Sequence, residues 1–230
     1  MEFMFANVGR EIIWESLSEK LSGVTVDKEL KFDEHLNNVY RKASNKVTAL
    51  GRIARILPFR KRRLLFKTFI ESQFSYCQLV WMFCSKIMNK KINRLHKRAL
   101  RIVYNDYTST FEQLLKVDES LNIHHRNIHC LATEMYKVKN GLSPSFMNDI
   151  FTYNEKREKF FLPYARTTKM GQGSLRVFGP VVWNTMLPKN VKESPSLNIF
   201  KDRVKSWIPT NCKCRLCNDH NNDCSCHICK

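Results

Sequence analysis

The chain has 230 residues with 39 Lys plus Arg against 21 Asp plus Glu, which gives a formal net charge of +18. A charge of this size indicates an anionic partner, nucleic acid first and an anionic membrane second. The 43% hydrophobic content, with 7 Gly and 7 Pro, argues against a largely disordered chain. No signal-peptide core is visible, and the apolar run 79–84 is far shorter than the ~20 residues of a membrane span, so we expect a soluble intracellular protein without a membrane partner.

The first 31 residues contain one short predicted element. Residues 1–19 show no periodicity, so an unordered start is expected. Val24 and Val26 alternate with polar neighbours, which predicts a strand followed by a turn. A helix is predicted to begin at Phe32 or Asp33, because apolar residues then recur at spacings of three and four. These residues are Leu36, Val39, Tyr40, Ala43, Val47 and Leu50.

The stretch from Pro58 to Tyr104 combines the densest positive charge with the clearest helical periodicity. Its apolar stripe comprises Met88, Ile92, Leu95, Ala99 and Ile102, and no carboxylate occurs between Glu71 and Asp106. Like charges four residues apart repel by a few tenths of a kcal/mol, so this unbalanced face predicts a polyanion that neutralises it; a merely solvated face is the alternative. The predicted nucleic-acid contacts are Arg60, Lys61, Arg62, Arg63, Lys86, Lys90, Lys91, Arg94, Lys97, Arg98 and Arg101.

Two further helices are predicted after the basic segment. Ser109 and Glu112 have the spacing of a capping box, and a second helix is predicted over 122–139. Histidines four residues apart can bind a metal, but no carboxylate or cysteine is placed to complete a site except Cys130, which points elsewhere. We therefore interpret the histidines of this helix as surface or interface residues, or as additional hydrogen-bond donors to phosphate. They are His124, His125 and His129.

From Ser143 onward, Gly and Pro interrupt the chain at short intervals. Residues 154–170 are basic and without periodicity, which predicts a mobile loop. The stretch 175–183 is predicted to be extended with a turn in it. A last helix is predicted over 197–208, with capping residues at 194–196.

The C-terminal tail repeats the pattern C-x-C-x-x-C, first from Cys212 and again from Cys224. Zinc binds four thiolate or imidazole ligands, and two C-x-x-C pairs supply four: Cys214, Cys217, Cys226 and Cys229. The spacing between the pairs is shorter than in most zinc modules, and Cys212, Cys224, His220 and His227 are substitutes. A thiol-rich tail without structure is the alternative, so the sequence leaves zinc binding open.

Catalytic motifs are absent from the sequence. It contains no Gly-rich phosphate loop, no Gly-x-Ser-x-Gly and no His-Glu-x-x-His, and no two aspartates are adjacent. Nucleotidyl transfer needs clustered carboxylates to hold two Mg²⁺ ions. No catalytic residue is therefore assigned, no cofactor is required, and no enzymatic activity is expected of this chain alone.

Several word-length segments resemble the C-terminal part of reverse transcriptases from non-LTR (LINE-type, jockey-like) retrotransposons. They are GVTVDKELKFDEHLNNVYRKASNKVTALGRI, LLFKTFIESQFSYCQLVWMFCS, NKKINRLHKRALRIVYND, EMYKVKNGLSP and GPVVWNTMLPKNVKESPSLNIFK, and they occur in the family's order over about 20–217. The resemblance implies helices of a thumb that grips template and primer, downstream of a palm whose Asp-Asp pair has no counterpart here. Ser22 stands where the family usually has an apolar residue, and the Cys224–Cys229 triplet is not part of the family pattern.

Together these observations predict a mainly α fold, a helical thumb-like bundle followed by a short α+β segment and a Cys-rich tail. The predicted segments are 1–31, a basic helical domain at 32–142, a post-thumb region at 143–210 and the tail at 211–230. The predicted function is that of a catalytically incomplete reverse-transcriptase fragment that binds RNA or RNA–DNA hybrid backbone with little sequence preference. The alternative is a host-adopted structural or protein-interaction module with a zinc-binding tail.

Overall fold

A computed structural model describes residues 5–8, 11–14, 16–167, 171, 173–210, 212, 214, 216 and 217. These residues are mainly helical with short two-stranded sheets, which confirms the predicted mainly α fold class. The chain divides into two compact units, Met1–Cys84 and Ser85–Lys230. The predicted basic domain at 32–142 includes parts of both units, and its boundaries stay predictions.

The first unit opens with two β-hairpins. Strands β1 (Phe5–Val8) and β2 (Glu11–Trp14) pair antiparallel, as do β3 (Ser18–Leu21) and β4 (Val24–Asp27). The expectation of an unordered start was therefore wrong for 5–8 and 11–14; the run EIIW is rich in β-forming residues and pairs along its whole length with FANV, despite the missing alternation. Ser22 and Gly23, with φ of 47° and 83°, form the two-residue turn between β3 and β4, a left-handed geometry that favours glycine.

Asp27 ends this second hairpin and organises the entry into helix α1 (Asp33–Ile53). Its carboxylate accepts hydrogen bonds from the backbone N–H groups of Glu29, Lys31 and Phe32 at 2.6–3.1 Å. Helix α1 begins where predicted, and it buries Leu36, Ala43, Val47 and Leu50 of the predicted apolar set, while Val39 and Tyr40 are half-buried.

A second helical segment, whose winding changes along its length, folds back against α1. A 3-10 turn (Ala54–Ile56) follows α1, and α2 (Phe59–Leu65) then continues through a π-helical turn (Phe66–Glu71) into α3 (Ser72–Ser75). The π turn and α3 pack against α1. Phe66, Ile70 and Phe74 are buried there, so the extra residue of the π turn keeps this apolar stripe on the core side.

The second unit begins with the predicted basic helix, α4 (Lys86–Tyr104), which Ser85 caps by accepting the Met88 N–H at 3.2 Å. The whole predicted stripe is buried. Helix α5 (Phe111–Asp118) follows, but its capping box is formed by Thr110 and Gln113 rather than Ser109 and Glu112. The shift has a cause: the Asp106 carboxylate accepts the Ser109 N–H at 3.0 Å and thus holds Ser109 in the preceding loop.

Helix α6 (Ile123–Lys139) matches its predicted limits, with Asn122 as its cap. After α7 (Met147–Ile150), strands β5 (Tyr153–Asn154) and β6 (Lys159–Phe160) form a hairpin where a mobile loop was predicted. The prediction failed for 154–160 because the side chain of Asn184, distant in sequence, bonds both backbone groups of Phe160 at 2.9–3.0 Å. Residues 168–170 lie outside the described part of the chain.

The predicted extended stretch is helical: α8 (Leu175–Val181) runs into a π-helical turn (Val182–Met186), followed by α9 (Lys189–Lys192) and α10 (Leu197–Ser206). Gly179 and Pro180 usually indicate a turn, yet both are buried within this helix. Gly179 lies so close to α6 that a Cβ on it would be 2.7 Å from the Met135 sulfur. Close packing of α8 on α6 thus overrides local propensity. The last helix is capped by Ser196 as predicted but ends at Ser206.

Candidate metal centre and basic helix face

Four soft donor groups converge in the second unit. The described residues His124, Cys212, Cys214 and Cys217 each offer one ligand atom, and these atoms all lie within 4.8 Å of one another. The imidazole Nε2 of His124 is 3.1 Å from the Cys214 sulfur. His124 and Cys212 are buried, and Cys214 and Cys217 are half-buried. This His-Cys₃ cluster can hold a metal ion.

The cluster is assembled by the packing of α10 and the chain after it along α6. Tyr136, near the end of α6, stacks on Phe200 with ring centroids 4.3 Å apart. About two turns earlier in α6, the ring of His129 stacks on the ring of Trp207 with centroids 5.6 Å apart, and the His129 Nε2 is 2.8 Å from the Trp207 carbonyl oxygen. His124 then meets Cys214. The chain from α10 onward therefore runs antiparallel to α6 and delivers the cysteines to its first turn.

The cysteine segment has local structure of its own. The N–H of Cys217 donates to the carbonyl oxygen of Cys214 at 3.0 Å, which bends the C-x-x-C stretch into a tight turn. Leu216, between these two cysteines, is buried with 7% of its surface exposed. The apolar side chain therefore anchors the turn while its two sulfurs point to the same cluster.

The hydrogen bonds among the three sulfurs favour the thiolate form of one of them and the thiol form of the other two. Hydrogen bonds from the thiols of Cys212 and Cys217, and then from His124, lower the pKa of Cys214. The hydrogen bond to Cys214 is the main cause that raises the pKa of Cys212 to about 12, and hydrogen bonds to Cys212 and Cys214 raise that of Cys217. One sulfur is thus stabilised as thiolate by its two neighbours, and a bound cation would take the place of their protons.

The donor set fits a tetrahedral metal ion. Zn–S bonds of ~2.3 Å and Zn–N bonds of ~2.0 Å place neighbouring ligand atoms of a tetrahedron about 3.5–3.8 Å apart. The observed separations, 3.1 Å for the pair His124–Cys214 and at most 4.8 Å overall, bracket those values. Shifts of less than an ångström would bring all four atoms to bonding distance, so the fit requires no refolding.

The cluster agrees in part with the cysteines singled out in the sequence. Cys214 and Cys217 were predicted ligands and lie in it, and Cys212 had been named as a substitute. Cys226 and Cys229 lie outside the described residues. The interpretation of His124 as a surface residue was wrong: only 4% of it is exposed. One clue pointed to a further ligand, since C-x-C-x-x-C supplies three ligands where zinc takes four.

The basic face of α4 lies opposite its buried stripe. At about 100° per residue, five cations fall within an arc of about 80°, with Lys91 and Arg98 beside them. Lys90, Lys91, Arg94 and Arg98 are exposed, and the remaining three predicted contacts of this helix are half-buried; they are Lys86, Lys97 and Arg101. The helix contains no acidic residue from end to end. We call this surface the α4 face.

The other predicted contacts belong to α2 in the first unit. Arg60 and Lys61 are exposed, and Arg62 and Arg63 are half-buried. No acidic residue occurs in the first turn of α2. The first unit thus carries a short cationic segment of its own, in addition to the α4 face of the second unit.

Several aspartates have structural roles within the described residues. Asp27 caps the turn before α1, and Asp106 holds the α4–α5 loop by accepting from Thr108 and Ser109. Asp118 is buried and accepts a hydrogen bond from the Tyr104 hydroxyl at 2.8 Å. These three carboxylates therefore serve loop and helix packing.

Comparison of the chain with protein-family models, curated proteins and solved structures found no match. Within the part of the chain that the structure describes, helices long and apolar enough to cross a membrane do not occur.

Proposed function

We propose that the protein binds the backbone of double-stranded nucleic acid, RNA or RNA–DNA hybrid, through the α4 face, without base readout and without chemistry of its own. The observation that carries this proposal is the unbalanced charge of α4: seven Lys or Arg residues and no carboxylate over 19 residues. A face kept only for solubility normally mixes signs. The resemblance to the thumb of non-LTR reverse transcriptases favours the same ligand.

The α4 face has the dimensions for such a contact. The helix from Lys86 to Tyr104 is about 28 Å long at 1.5 Å per residue. Five cations in one arc, about every five to six ångströms along the axis, can track a phosphate backbone, whose charges are spaced at a few ångströms. Buried apolar residues on the opposite side fix the helix, so the cations are presented on a rigid support.

Binding of labelled 20-mers tests the proposal. The variant Lys90→Gln/Arg94→Gln/Lys97→Gln/Arg101→Gln, called the α4 glutamine variant, removes four positive charges while keeping long polar side chains. We expect it to weaken binding to an RNA–DNA hybrid equally for unrelated sequences. A matched control, Arg176→Gln/Lys189→Gln/Lys201→Gln/Lys205→Gln, also removes four exposed positive charges, from α8, α9 and α10, and should change binding less. An equal loss of affinity in both variants would show that binding depends on the net charge of the protein and not on the α4 face.

We further propose that the His-Cys₃ cluster holds one structural Zn²⁺. Three sulfurs and one imidazole are the ligands of closed structural zinc sites, with no fourth position left for water. The ion would join the segment 212–217 to the first turn of α6 across 90 residues of sequence. The zinc content of the purified chain, compared with that of variants at the four ligands, tests this proposal.

The alternative function, a host-adopted module that binds a protein partner, uses the same zinc-stabilised tail. It is favoured if the α4 glutamine variant keeps full nucleic-acid affinity while zinc is retained. The two hypotheses therefore give opposite results in one binding assay.

A further inference from the structure

The chain that leaves β6 displays two aromatic side chains to solvent. Phe161 and Tyr164 have 68% and 89% of their surface exposed, whereas Phe160, directly before them, is buried. Burying an aromatic ring is among the largest hydrophobic gains a side chain offers, and here two rings within four residues are left outside. Exposed aromatic surface of this kind commonly marks a binding site.

The backbone that carries these rings is anchored at its start. The N–H of Phe161 donates to the Thr152 carbonyl oxygen at 2.8 Å, which extends the β5–β6 hairpin. The ring of Phe161 therefore projects from the supported end of this hairpin, which lowers the ordering entropy that would be lost when a ligand stacks on it.

The segment that carries the rings is basic. Lys156, Arg157, Lys159 and Arg166 are all exposed in this stretch, against two carboxylates, Glu155 and Glu158. Burial and then the neighbouring ammonium group of Lys159 lower the pKa of Lys192, whereas the Glu158 carboxylate raises it and Lys139 lowers it by less. Lys159 thus lies close enough to another cation to be repelled by it, and an anionic ligand would relieve that repulsion.

We propose that the surface at 156–166 binds single-stranded nucleic acid, with unstacked bases on the rings of Phe161 and Tyr164 and phosphates on Arg157, Lys159 and Arg166. Aromatic rings interleaved with cations bind single strands of any sequence, because every base has a π face. A duplex keeps its bases stacked internally and offers none to the rings. The proposal rests on the nucleic-acid binding proposed above but uses a surface separate from the α4 face.

The full chain is tested with a labelled single-stranded 20-mer of uridine and, in parallel, with the RNA–DNA hybrid. We expect Phe161→Ala/Tyr164→Ala to weaken single-strand binding by at least about fivefold for each ring engaged and to leave hybrid binding unchanged. Because rings carry no charge, the salt dependence should not change. The swap variant Phe161→Tyr/Tyr164→Phe keeps both π faces and should bind normally, which separates stacking from altered folding.

Leu162→Ala is the matched control, because Leu162 is 51% exposed in the same segment but has no π face. A loss of affinity on Leu162→Ala as large as on the ring variant would identify an apolar protein-docking surface and overturn the proposal, as would unchanged single-strand affinity of the ring variant. The α4 glutamine variant separates the two proposals. Normal hybrid binding by that variant, with loss of single-strand binding by the ring variant, would refute the α4 proposal and support this one.

Discussion

The candidate metal centre gives the sharpest prediction, because the two possible ligand quartets share only Cys214 and Cys217. The sequence favoured Cys226 and Cys229 as the other two ligands, whereas the structure brings His124 and Cys212 to the cluster. We therefore expect Cys212→Ser and His124→Gln each to release zinc and Cys226→Ser to retain it. The outcome follows from geometry, since the four clustered atoms already lie within 4.8 Å of one another.

The expected affinity makes the assay practical. Structural zinc sites contribute ~10 kcal/mol or more at neutral pH, which corresponds to a Kd of about 50 nM or lower. At micromolar protein, one Zn²⁺ per chain should therefore remain after dialysis of the reduced wild-type protein, as measured by elemental analysis. If zinc binds, we expect it to stabilise the folded second unit by about 4 kcal/mol when free zinc exceeds the Kd a thousandfold.

Chelation should have a local effect. The Tyr136–Phe200 stack and the buried stripe of α4 do not involve the cluster, and α6 contributes only His124 of its first turn, so helical circular dichroism should persist while tryptophan fluorescence changes as Trp207 leaves His129. Release of zinc by Cys226→Ser with retention in Cys212→Ser would refute the His-Cys₃ site. Variable stoichiometry in the wild type would indicate an unstructured thiol tail, and loss of all helical signal would show that the tail is not a separate element.

Three further predictions follow from the core and the missing carboxylates. Phe200→Ala, which removes a fully buried ring from between Tyr136 and Trp183, should lower the free energy of unfolding by ~3–5 kcal/mol in urea titrations, against less than about 0.5 kcal/mol for the exposed Lys201→Ala. Burial, and then the charge of Arg126, lower the pKa of His96 to about 3. As the pH falls, the His96 imidazole is therefore protonated in the unfolded chain before it is protonated in the folded one. The contribution of His96 to stability should therefore be fully present above pH 6.5 and be lost by about 1.4 kcal/mol per unit as the pH falls from 6.5 to 3, and His96→Leu should remove this part of the slope. The protein should show no DNA synthesis on a primed RNA template with Mg²⁺ or Mn²⁺, and incorporation above a heat-treated control would contradict this.

Helices whose apolar periodicity agrees with their burial could be predicted from the sequence. Helix α4 is the clearest example, because a stripe of Met88, Ile92 and Ala99 opposite seven cations allows only one face to be buried. Helix α6 was equally predictable, since Asn122 caps it and Asn140-Gly141 ends it. In both helices local signals and tertiary packing agree.

Features that depend on distant residues could not be predicted. The helix at Leu175–Val181 contains Gly-Pro, and only its close approach to Met135 explains the helical state. His124 and Cys214 are 90 residues apart, and their meeting depends on the antiparallel course of α10 along α6. The spacing of cysteines in a sequence indicates candidate ligands within one segment, whereas the candidate ligands of this site belong to two segments, α6 and 212–217.

The salt dependence of binding tests the central claim most directly. If the α4 face neutralises phosphates, log K for the hybrid should fall linearly with log salt concentration. The α4 glutamine variant should flatten that slope by about one unit for each phosphate that it no longer neutralises, up to about four. An unchanged slope in this variant would show that the cations of α4 are only solvated and would contradict the proposed function.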